Sequence, residues 1–525
     1  MDKVAANGPI SRVPSSLSHR WRLVGIAGLV SAFVFAAALA LLLVFWPFRE
    51  AKVAQALEET FAGEITVGHY RSTLFPHPGG IAEDVALHRT ASFQDRTPLA
   101  YIKKLTIKAN YWDLLLRPGY ISQLLLDGFR VHVPARGSTS PSAQTGSAPG
   151  PVTRVGEVLA SDAVLEIVRE RGEPLVFHIH ALRLTSVSDG HPFDFQVALD
   201  IPLPPGEVHA SGQFGAFNSQ SLSDTPASGK YLYENADLSV FPGIAGTLWS
   251  EGAFDGTLGQ LQARGKVEIP DFEVKRSRHT VPVRSQYQAV VNATNGNVEL
   301  QKVDSLVVQT RVFADGSVAR KPGHRGKTTS LELTVSNGRI QDVLRVFVKA
   351  RRPPLEGITS FQAHITIPPG DAPFLERVQL VGDFGVNKGE FTRQDTQQDI
   401  IKLSETGGGK KPENGEDPDP DKVVSALAGH VDLSGGTATF SNFSFSVPDA
   451  EANMHGTYNL VSEKVDLHGI LRTTVKFSNT TSGFKSVLLK PFDAVFKRKH
   501  HSGAKVPVQL TGTYNHPHAG LEIMK

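Results

Sequence analysis

Residues 361–367 read FQAHITI, and this short run shows the pattern on which the fold depends. Phe361, Ala363, Ile365 and Ile367 alternate with Gln, His and Thr, so every second side chain is apolar. Successive side chains of a β-strand point to opposite faces of the sheet. The run therefore predicts a strand with one face in an apolar environment and the other face in water.

The same alternation recurs along most of the chain after residue 61. Examples lie at residues 175–180, 443–447 and 464–471, and Gly, Pro, Asn and Asp punctuate the runs. The 29 Phe against 4 Trp fit this pattern, because Phe brings no polar atom to a buried face. The body is therefore predicted to be mainly β. Composition does not distinguish a sandwich, a barrel and a long curled sheet.

Residues 23–46, LVGIAGLVSAFVFAAALALLLVFW, contain no charged side chain. As a helix this run would reach about 36 Å at about 1.5 Å per residue, enough to cross an apolar core of about 30 Å. The charged residues that precede the run are mostly cationic: Lys3, Arg12, Arg20 and Arg22, against Asp2. This asymmetry predicts a cytoplasmic tail at residues 1–22, a single transmembrane helix and an exported body.

A cleavable signal peptide is the alternative interpretation of this segment. Its apolar stretch is normally about 7–15 residues long and precedes a small-residue cleavage site. Here the stretch is longer and ends at the bulky Trp46-Pro47-Phe48, which favours a retained anchor. Immediately afterwards, Val53, Ala56, Leu57 and Phe61 stand at helical spacing, which predicts a short amphipathic helix over residues 50–61.

Composition excludes several classes of function. The chain has no cysteine, which rules out disulfides, thiolate metal sites and cysteine nucleophiles and is compatible with a periplasm. The net charge of +2 gives no reason to expect nucleic acid as a partner. With 525 residues, the exported part has room for two or three ordinary domains or one elongated domain.

Two segments interrupt the alternating pattern without ending it. Residues 137–151, GSTSPSAQTGSAPGP, have the composition of a flexible linker or loop. Residues 405–421, ETGGGKKPENGEDPDPD, have that of a disordered, charged linker. They divide the body into an N-terminal β region at 47–136, a central β region at 152–404 and a C-terminal β region at 422–525.

No motif supports catalysis, a cofactor or a metal. The run GHRGKT at residues 323–328 lacks the first glycine of a phosphate loop, where Lys321 stands. The acidic residues at 417, 419 and 421 have calcium-loop spacing, but Lys422 and Ala428 replace the glycine and the closing glutamate. Histidine pairs at 178/180, 500/501 and 516/518 have no third ligand near them in the sequence, so we expect exposed histidines on a polar face.

Residues 484–499 predict a basic amphipathic helix. Its apolar residues are Phe484, Val487, Leu488, Phe492, Val495 and Phe496, and its cationic residues are Lys485, Lys490, Lys497, Arg498 and Lys499. Two interpretations remain open, since a periodic apolar face does not identify what covers it. The helix either docks on a membrane surface or a partner, or it caps the end of the β body.

Two stretches resemble the AsmA-like family of bacterial envelope proteins. Residues 100–134, AYIKKLTIKANYWDLLLRPGYISQLLLDGFRVHVP, resemble its N-terminal signature of a strand, a Leu-Leu turn and a second strand. Residues 429–469 resemble its C-terminal pattern of strands separated by glycines, and residues 488–499 and 506–517 resemble its closing helix and strand. The likeness covers about 130 residues. The middle of the chain shares only the alternating strand pattern with the family and none of its motifs. Several family members are longer.

The resemblance implies an inner-membrane protein with its bulk in the periplasm. It further implies that the body is an elongated, curled antiparallel β-sheet trough with a few short helices, similar at its N-terminal end to the chorein-type start of bridge-like lipid-transfer proteins. The family is linked to phospholipid movement between membranes and to outer-membrane assembly. If about 25 strands stood side by side at about 4.8 Å, such a trough would run about 120 Å.

The function expected from these observations is non-enzymatic lipid handling, with an apolar groove as the only site. The partners expected are phospholipid or another acyl lipid, the membrane, and an envelope protein at the far end. The residues predicted to line the groove are Leu105, Ile107, Phe129, Val131, Phe177, Ile179, Phe361, Ile365, Phe443, Phe445, Val447 and Leu467. A structural scaffold that packs its own core is the first alternative, and an anchored carbohydrate-active enzyme with a carboxylate pair in a cleft is the second.

Overall fold

A computed structural model gives the fold of the chain. The residues that it describes are 48–61, 64–88, 98–117, 119–133, 154–168, 174–188, 190–216, 221–321, 326–394, 425–448, 450–473, 505–513 and 516–521. The cytoplasmic tail and the membrane span predicted at 1–46, the linkers at 137–151 and 405–421, and the basic helix at 484–499 all lie outside these residues. Among the described helices, none has the length and apolar character needed to cross a bilayer.

The described part of the chain is mainly β, as the alternating pattern predicts. Its strands are β1 Glu64–Thr73, β2 Gly79–His88, β3 Ala100–Lys108, β4 Tyr120–Val133, β5 Arg154–Ile167, β6 Leu175–Ser188, β7 Phe193–Pro202, β8 Pro205–Phe214, β9 Pro226–Asp237, β10 Ile244–Ala245, β11 Thr247–Thr257, β12 Gln260–Val274, β13 Thr280–Asn292, β14 Asn297–Val307, β15 Thr310–Ala319, β16 Thr328–Arg339, β17 Leu355–Ile367, β18 Gln379–Phe391, β19 Ser425–Ser434, β20 Thr437–Val447, β21 Ala450–Asn459, β22 Lys464–Thr473, β23 Lys505–Thr513 and β24 His516–Leu521.

Helices within the described residues are few and short. They are α1 Glu50–Phe61, α2 Tyr111–Leu116, α3 Ile340–Phe347 and α4 Phe374–Arg377, with 3-10 turns at Leu222–Asp224 and Leu238–Val240. The helix expected at residues 50–61 is confirmed as α1. The Leu-Leu turn expected between two strands is α2, which joins β3 to β4.

All described strands form a single open sheet in which each strand pairs with the next along the chain, apart from the two-residue β10. Short turns with their own hydrogen bonds make this meander possible. Between β13 and β14, for example, Asn292 Oδ1 accepts hydrogen bonds from Thr294 N at 3.1 Å and Asn295 N at 3.2 Å. Gly296 then takes a φ of +70°, which an L side chain rarely adopts.

The expected antiparallel sheet is correct with one exception, since β4 and β5 are parallel. Gln123 of β4 pairs with Glu157 of β5, and Leu126 pairs with Ala160, in the same chain direction. A parallel pair needs a connection that crosses back to the starting edge. The segment between these strands contains residues 137–151, so the predicted linker occupies this crossover.

Strands β2 to β6 share a line of irregular positions, where each strand turns two successive side chains towards one face. Asp84, Gly128 and Asp162 mark the line with φ values of +54°, +63° and +52°. The neighbouring Lys103 and Lys104 of β3 are both exposed there. Bulges of this kind bend a sheet and increase its twist. The period-two pattern is therefore shifted by one residue at this line.

Candidate functional site

One register row crosses the sheet from β1 to β23, each residue paired with the next. It contains apolar residues, glycine and tyrosine, and no charged residue: Tyr70, Ala82, Leu105, Leu126, Ala160, Leu182, Val197, Ala210, Tyr231, Gly252, Gly265, Tyr287, Val303, Ala314, Leu333, Ala363, Gly382, Val431, Phe440, Gly456, Leu467 and Leu510. Paired residues share a face. We call the face that carries this row the apolar face.

The next row along, on the opposite face, has a different composition. From β2 to β20 it reads Glu83, Lys104, Asp127, Ser161, Ala181, Ala198, His209, Leu232, Glu251, Lys266, Gln286, Asp304, Phe313, Thr334, Gln362, Asp383, His430 and Ser441. Its charged members pair across strands, as Lys266 does with Glu251 at 3.5 Å. We call this side the polar face.

The twelve residues predicted to line a groove all lie on the apolar face. Leu105 and Leu467 belong to the row itself, and the other ten stand on the same side of their strands. Leu105, Ile107, Val447 and Leu467 are buried, and the remaining eight are half-buried. Because the described strands make up one sheet, no second sheet within the described residues covers this face.

Helix α1 covers the apolar face at its first strands. Phe48 and Val53 pack with Ala82, Leu105 and Ile107 in one buried cluster. Tyr70 donates a hydrogen bond from its hydroxyl to the carbonyl oxygen of Phe48 at 2.6 Å. Burial, with the negative charge of Glu50 as a smaller cause, raises the pKa of Tyr70 to about 12. The tyrosine therefore stays a neutral donor that fixes the start of α1.

Farther along, α4 brings separate parts of the apolar face together. Phe374 packs against the cluster of Val274 and Val281 from β12 and β13, and against the cluster of Val431 and Leu433 from β19. Its amide also donates to the carbonyl of Pro242, before β10, at 2.9 Å. One side chain touches the apolar face of strands far apart in the sheet, so the sheet bends towards that face over this stretch.

Hydroxyl groups also lie on the apolar face between β9 and β14. The side chains of Tyr231 and Tyr287 lie over Gly252 and Gly265, where a Cβ atom would come within 3.0 Å of either ring. Their hydroxyls share a hydrogen bond, and Tyr231 also bonds Ser250 Oγ at 3.0 Å. Burial and the bond with Tyr231 raise the pKa of Tyr287. These hydroxyls satisfy one another and add no charge to the apolar face.

A depression of about 1290 Å³ lies over the polar face between β3 and β9. Its charged side chains bond to each other: Glu157 accepts from Arg183 Nε at 2.6 Å and from Gln123 Nε2 at 2.8 Å, and these bonds lower the pKa of Glu157. In the same depression, Asp200 raises the pKa of His180. Since these charges are neutralised locally and face water, we assign this depression to sheet structure.

His178 and His180, considered as a metal pair, are exposed on the polar side of β6, and His180 lies 2.9 Å from Asp200. No group of three or more His, Asp or Glu side chains in the described residues is arranged to hold a metal ion. The histidines at 500 and 501 and the phosphate-loop residues 323–325 lie outside the described residues.

Sequence reasoning missed two features of the site. The tyrosine pair over Gly252 and Gly265 depends on register across strands, which no local pattern encodes. The exposure of Trp112, Leu115 and Leu116 is the second feature, although adjacent apolar residues in a short connection between two strands were a visible signal.

Comparison with family models, with curated proteins and with solved structures gave no match.

Proposed function

We propose that this chain is a single-pass inner-membrane protein whose periplasmic β body binds phospholipid or another acyl lipid along its apolar face. In this account the body is an AsmA-like trough that serves phospholipid transport between membranes and the assembly or maintenance of an outer membrane. The observation that carries the proposal is the charge-free row from Tyr70 to Leu510 on a face that no second sheet of the described residues covers.

Physical chemistry explains why such a face needs an apolar occupant. Half-buried Phe and Ile side chains in water cost about 25 cal/mol per Å² of exposed apolar area, and acyl chains laid on them remove that cost. Acyl chains also tolerate the tyrosine and serine hydroxyls, because these bond to one another. The 23 described strands that stand side by side, at about 4.8 Å each, give a path of roughly 110 Å along the sheet.

A structural scaffold remains the second candidate, and a particular observation favours it. Helices α1, α3 and α4 supply side chains to the apolar face at β1–β4 and at β10–β20, as a protein packing its own core would do. The two candidates differ in what contacts the uncovered parts of the face. A scaffold places protein there, and a carrier places lipid there.

Photo-crosslinking from neighbouring residues separates these candidates. Benzoylphenylalanine replaces Phe177, Phe361 or Phe443 on the apolar face, and in matched variants His178, Gln362 or Ser441 on the polar face. The full chain is expressed in the inner membrane of a Gram-negative host and irradiated. We expect phospholipid adducts at the three apolar-face positions and none at their polar-face partners.

Protein adducts at the apolar-face positions, without lipid, would favour the scaffold. Equal lipid labelling on both faces would show random contact with membranes and would contradict the proposed carrier. Because the partner positions lie one or two residues apart on the same strand, differences in expression or membrane proximity do not explain a one-sided result.

A further inference from the structure

Five large apolar side chains project into solvent at one edge of the sheet, here the edge formed by the strand ends where β1 finishes and β2 begins. They are Leu74 (46% exposed), Phe75 (88%), Trp112 (75%), Leu115 (70%) and Leu116 (75%), and we call them the edge patch. Leu74 and Phe75 form the turn from β1 to β2, and the other three lie on α2. Tyr111 donates a hydrogen bond from its hydroxyl to the carbonyl of Leu74, which joins the two segments.

Backbone hydrogen bonds hold the two segments that carry the edge patch. Next to it, the amide of Ala109 donates to the carbonyl of Pro78 at 2.8 Å, and Arg117 N donates to Asp113 O at 2.7 Å. The two connections lie at the same edge because β1 to β4 are successive antiparallel strands. A contiguous exposed apolar surface on a firm backbone marks an interaction site.

The chain enters the fold at this same edge. Phe48 is buried against the apolar face, and its carbonyl accepts from Tyr70, three residues before the end of β1 at Thr73. Helix α1 then runs towards the opposite edge, where β1 begins. The charge-free run at residues 23–46 ends two residues before Phe48. A span formed by that run therefore meets the body beside the edge patch.

The chemistry of the edge patch matches a bilayer interface. Trp and Tyr prefer the headgroup level of a membrane, and Phe and Leu prefer the acyl boundary below it. Two exposed arginines, Arg71 and Arg117, flank the patch, and cations near a bilayer surface are attracted to anionic lipids. Asp113, the acidic residue of α2, lies 3.9 Å from Arg117 and pairs with it.

We propose that the edge patch inserts into the outer leaflet of the membrane that residues 23–46 cross. The sheet then rests on the bilayer through the strand ends that carry the β1–β2 and β3–β4 connections, and the apolar face of these first strands begins at the acyl layer from which it would draw lipid. This inference rests on the anchored orientation in the proposed function. It adds a second membrane contact, made by the folded body itself.

The absence of cysteine allows a clean test in the full chain. Leu115→Cys carries a polarity-sensitive nitrobenzoxadiazole label, and the matched control is Leu203→Cys. Leu203 is 48% exposed and lies in the β7–β8 turn at the opposite edge of the sheet. Each labelled chain is reconstituted, body outwards, in vesicles of phosphatidylethanolamine and phosphatidylglycerol that contain a nitroxide on the acyl chain.

We expect the nitroxide lipid to quench the label at 115 and leave the label at 203 bright. Aqueous iodide should show the reverse order, with quenching several-fold weaker at 115. Quenching of both labels by iodide alone would overturn the inference, because the edge patch would then face water. Shielding of the 115 label from both quenchers would also overturn it, since a protein would then cover the patch.

The two proposals fail in distinguishable ways. A body that docks without carrying lipid still gives the quenching pattern, because the label reports contact with the bilayer and not occupancy of the apolar face. A chain without a membrane span is released from the vesicles by alkaline carbonate, which is seen before any quenching is measured.

Discussion

Changing Phe443, Phe445 and Val447 together to Asp should lower the lipid adducts formed by a photo-crosslinker at Met454 by at least about tenfold. Met454 pairs with Phe443 across β20 and β21, so it reports on lipid at this part of the apolar face. An acyl chain lying there would strip water from three carboxylates, and burying an unpaired charge costs several kcal/mol. Each 1.4 kcal/mol lost lowers occupancy about tenfold.

Packing and charge must be separated in this experiment. Phe443 contacts Phe384 and Phe440 at ring-centre distances of 6.1 and 5.8 Å, so its replacement also removes aromatic contacts. The same three positions changed to Ala remove those contacts without adding charge, and should keep most of the adducts. Ser441→Asp with Ser444→Asp adds charge to the same strand on the polar face and should have no effect.

A distant reporter completes the design. A crosslinker at Phe177 of β6 should keep its lipid adducts in the triple Asp variant, which shows that the chain is folded and supplied with lipid. Loss of adducts at both reporters would indicate that the Asp variant is misfolded. Lipid contact is then judged from the Ala variant, which should keep most of its adducts at Met454. Unchanged adducts at Met454 in the folded Asp variant would contradict lipid contact with this face.

The second large effect concerns stability and centres on Asp342 in the first turn of α3. This carboxylate is 5% exposed and accepts from Gln309 N at 3.1 Å and from Thr310 Oγ1 at 2.9 Å. Thr310 is 1% exposed and in turn accepts from Arg339 N at 2.9 Å. The three residues thus tie α3 to the start of β15 and to the end of β16.

Asp342→Ala should destabilise this junction by about 3 kcal/mol, since it leaves buried donors without their acceptor. Because a long sheet need not unfold in one step, local hydrogen–deuterium exchange is the suitable measurement. Amide exchange in peptides covering residues 309–312 and 339–347 should accelerate roughly a hundredfold.

Two variants serve as controls. Asp342→Asn keeps an oxygen acceptor and should cost clearly less than the Ala variant. Asp304→Ala removes a carboxylate whose partner, Arg311 at 2.8 Å, is largely exposed, and such surface pairs contribute about 0–1 kcal/mol. If Asp342→Ala accelerates exchange no more than Asp304→Ala does, the buried network does not hold α3 in place.

The alternation of residues was sufficient to predict the β class and, within regular stretches such as residues 361–367, which side chains share the apolar face. Phe361 and Ile365 share a face because they are four residues apart on one regular strand. The helix at 50–61 could also be predicted from the sequence, because its apolar residues recur at helical spacing.

The register between strands could not be predicted from the sequence, because it is set by turns and bulges. Asp84 and Asp162 give no local sign that their strands shift the alternating pattern by one residue there. The parallel pairing of β4 with β5 depends on a long crossover, which looks like any other linker in the sequence. Phe374 contacts the cluster from β12 and β13 and also the cluster from β19. This depends on the bend of the whole sheet, which composition does not encode.

The central claim is that acyl lipid occupies the apolar face, and lipid extraction from the purified full chain tests it most directly. Residues 1–49, purified in the same detergent, give the amount of lipid that surrounds the predicted span alone. We predict that the full chain retains several more phospholipid molecules per chain than this segment, by native mass spectrometry and phosphorus analysis. Equal amounts, with the body folded by circular dichroism, would contradict the account and favour a scaffold that packs its own core.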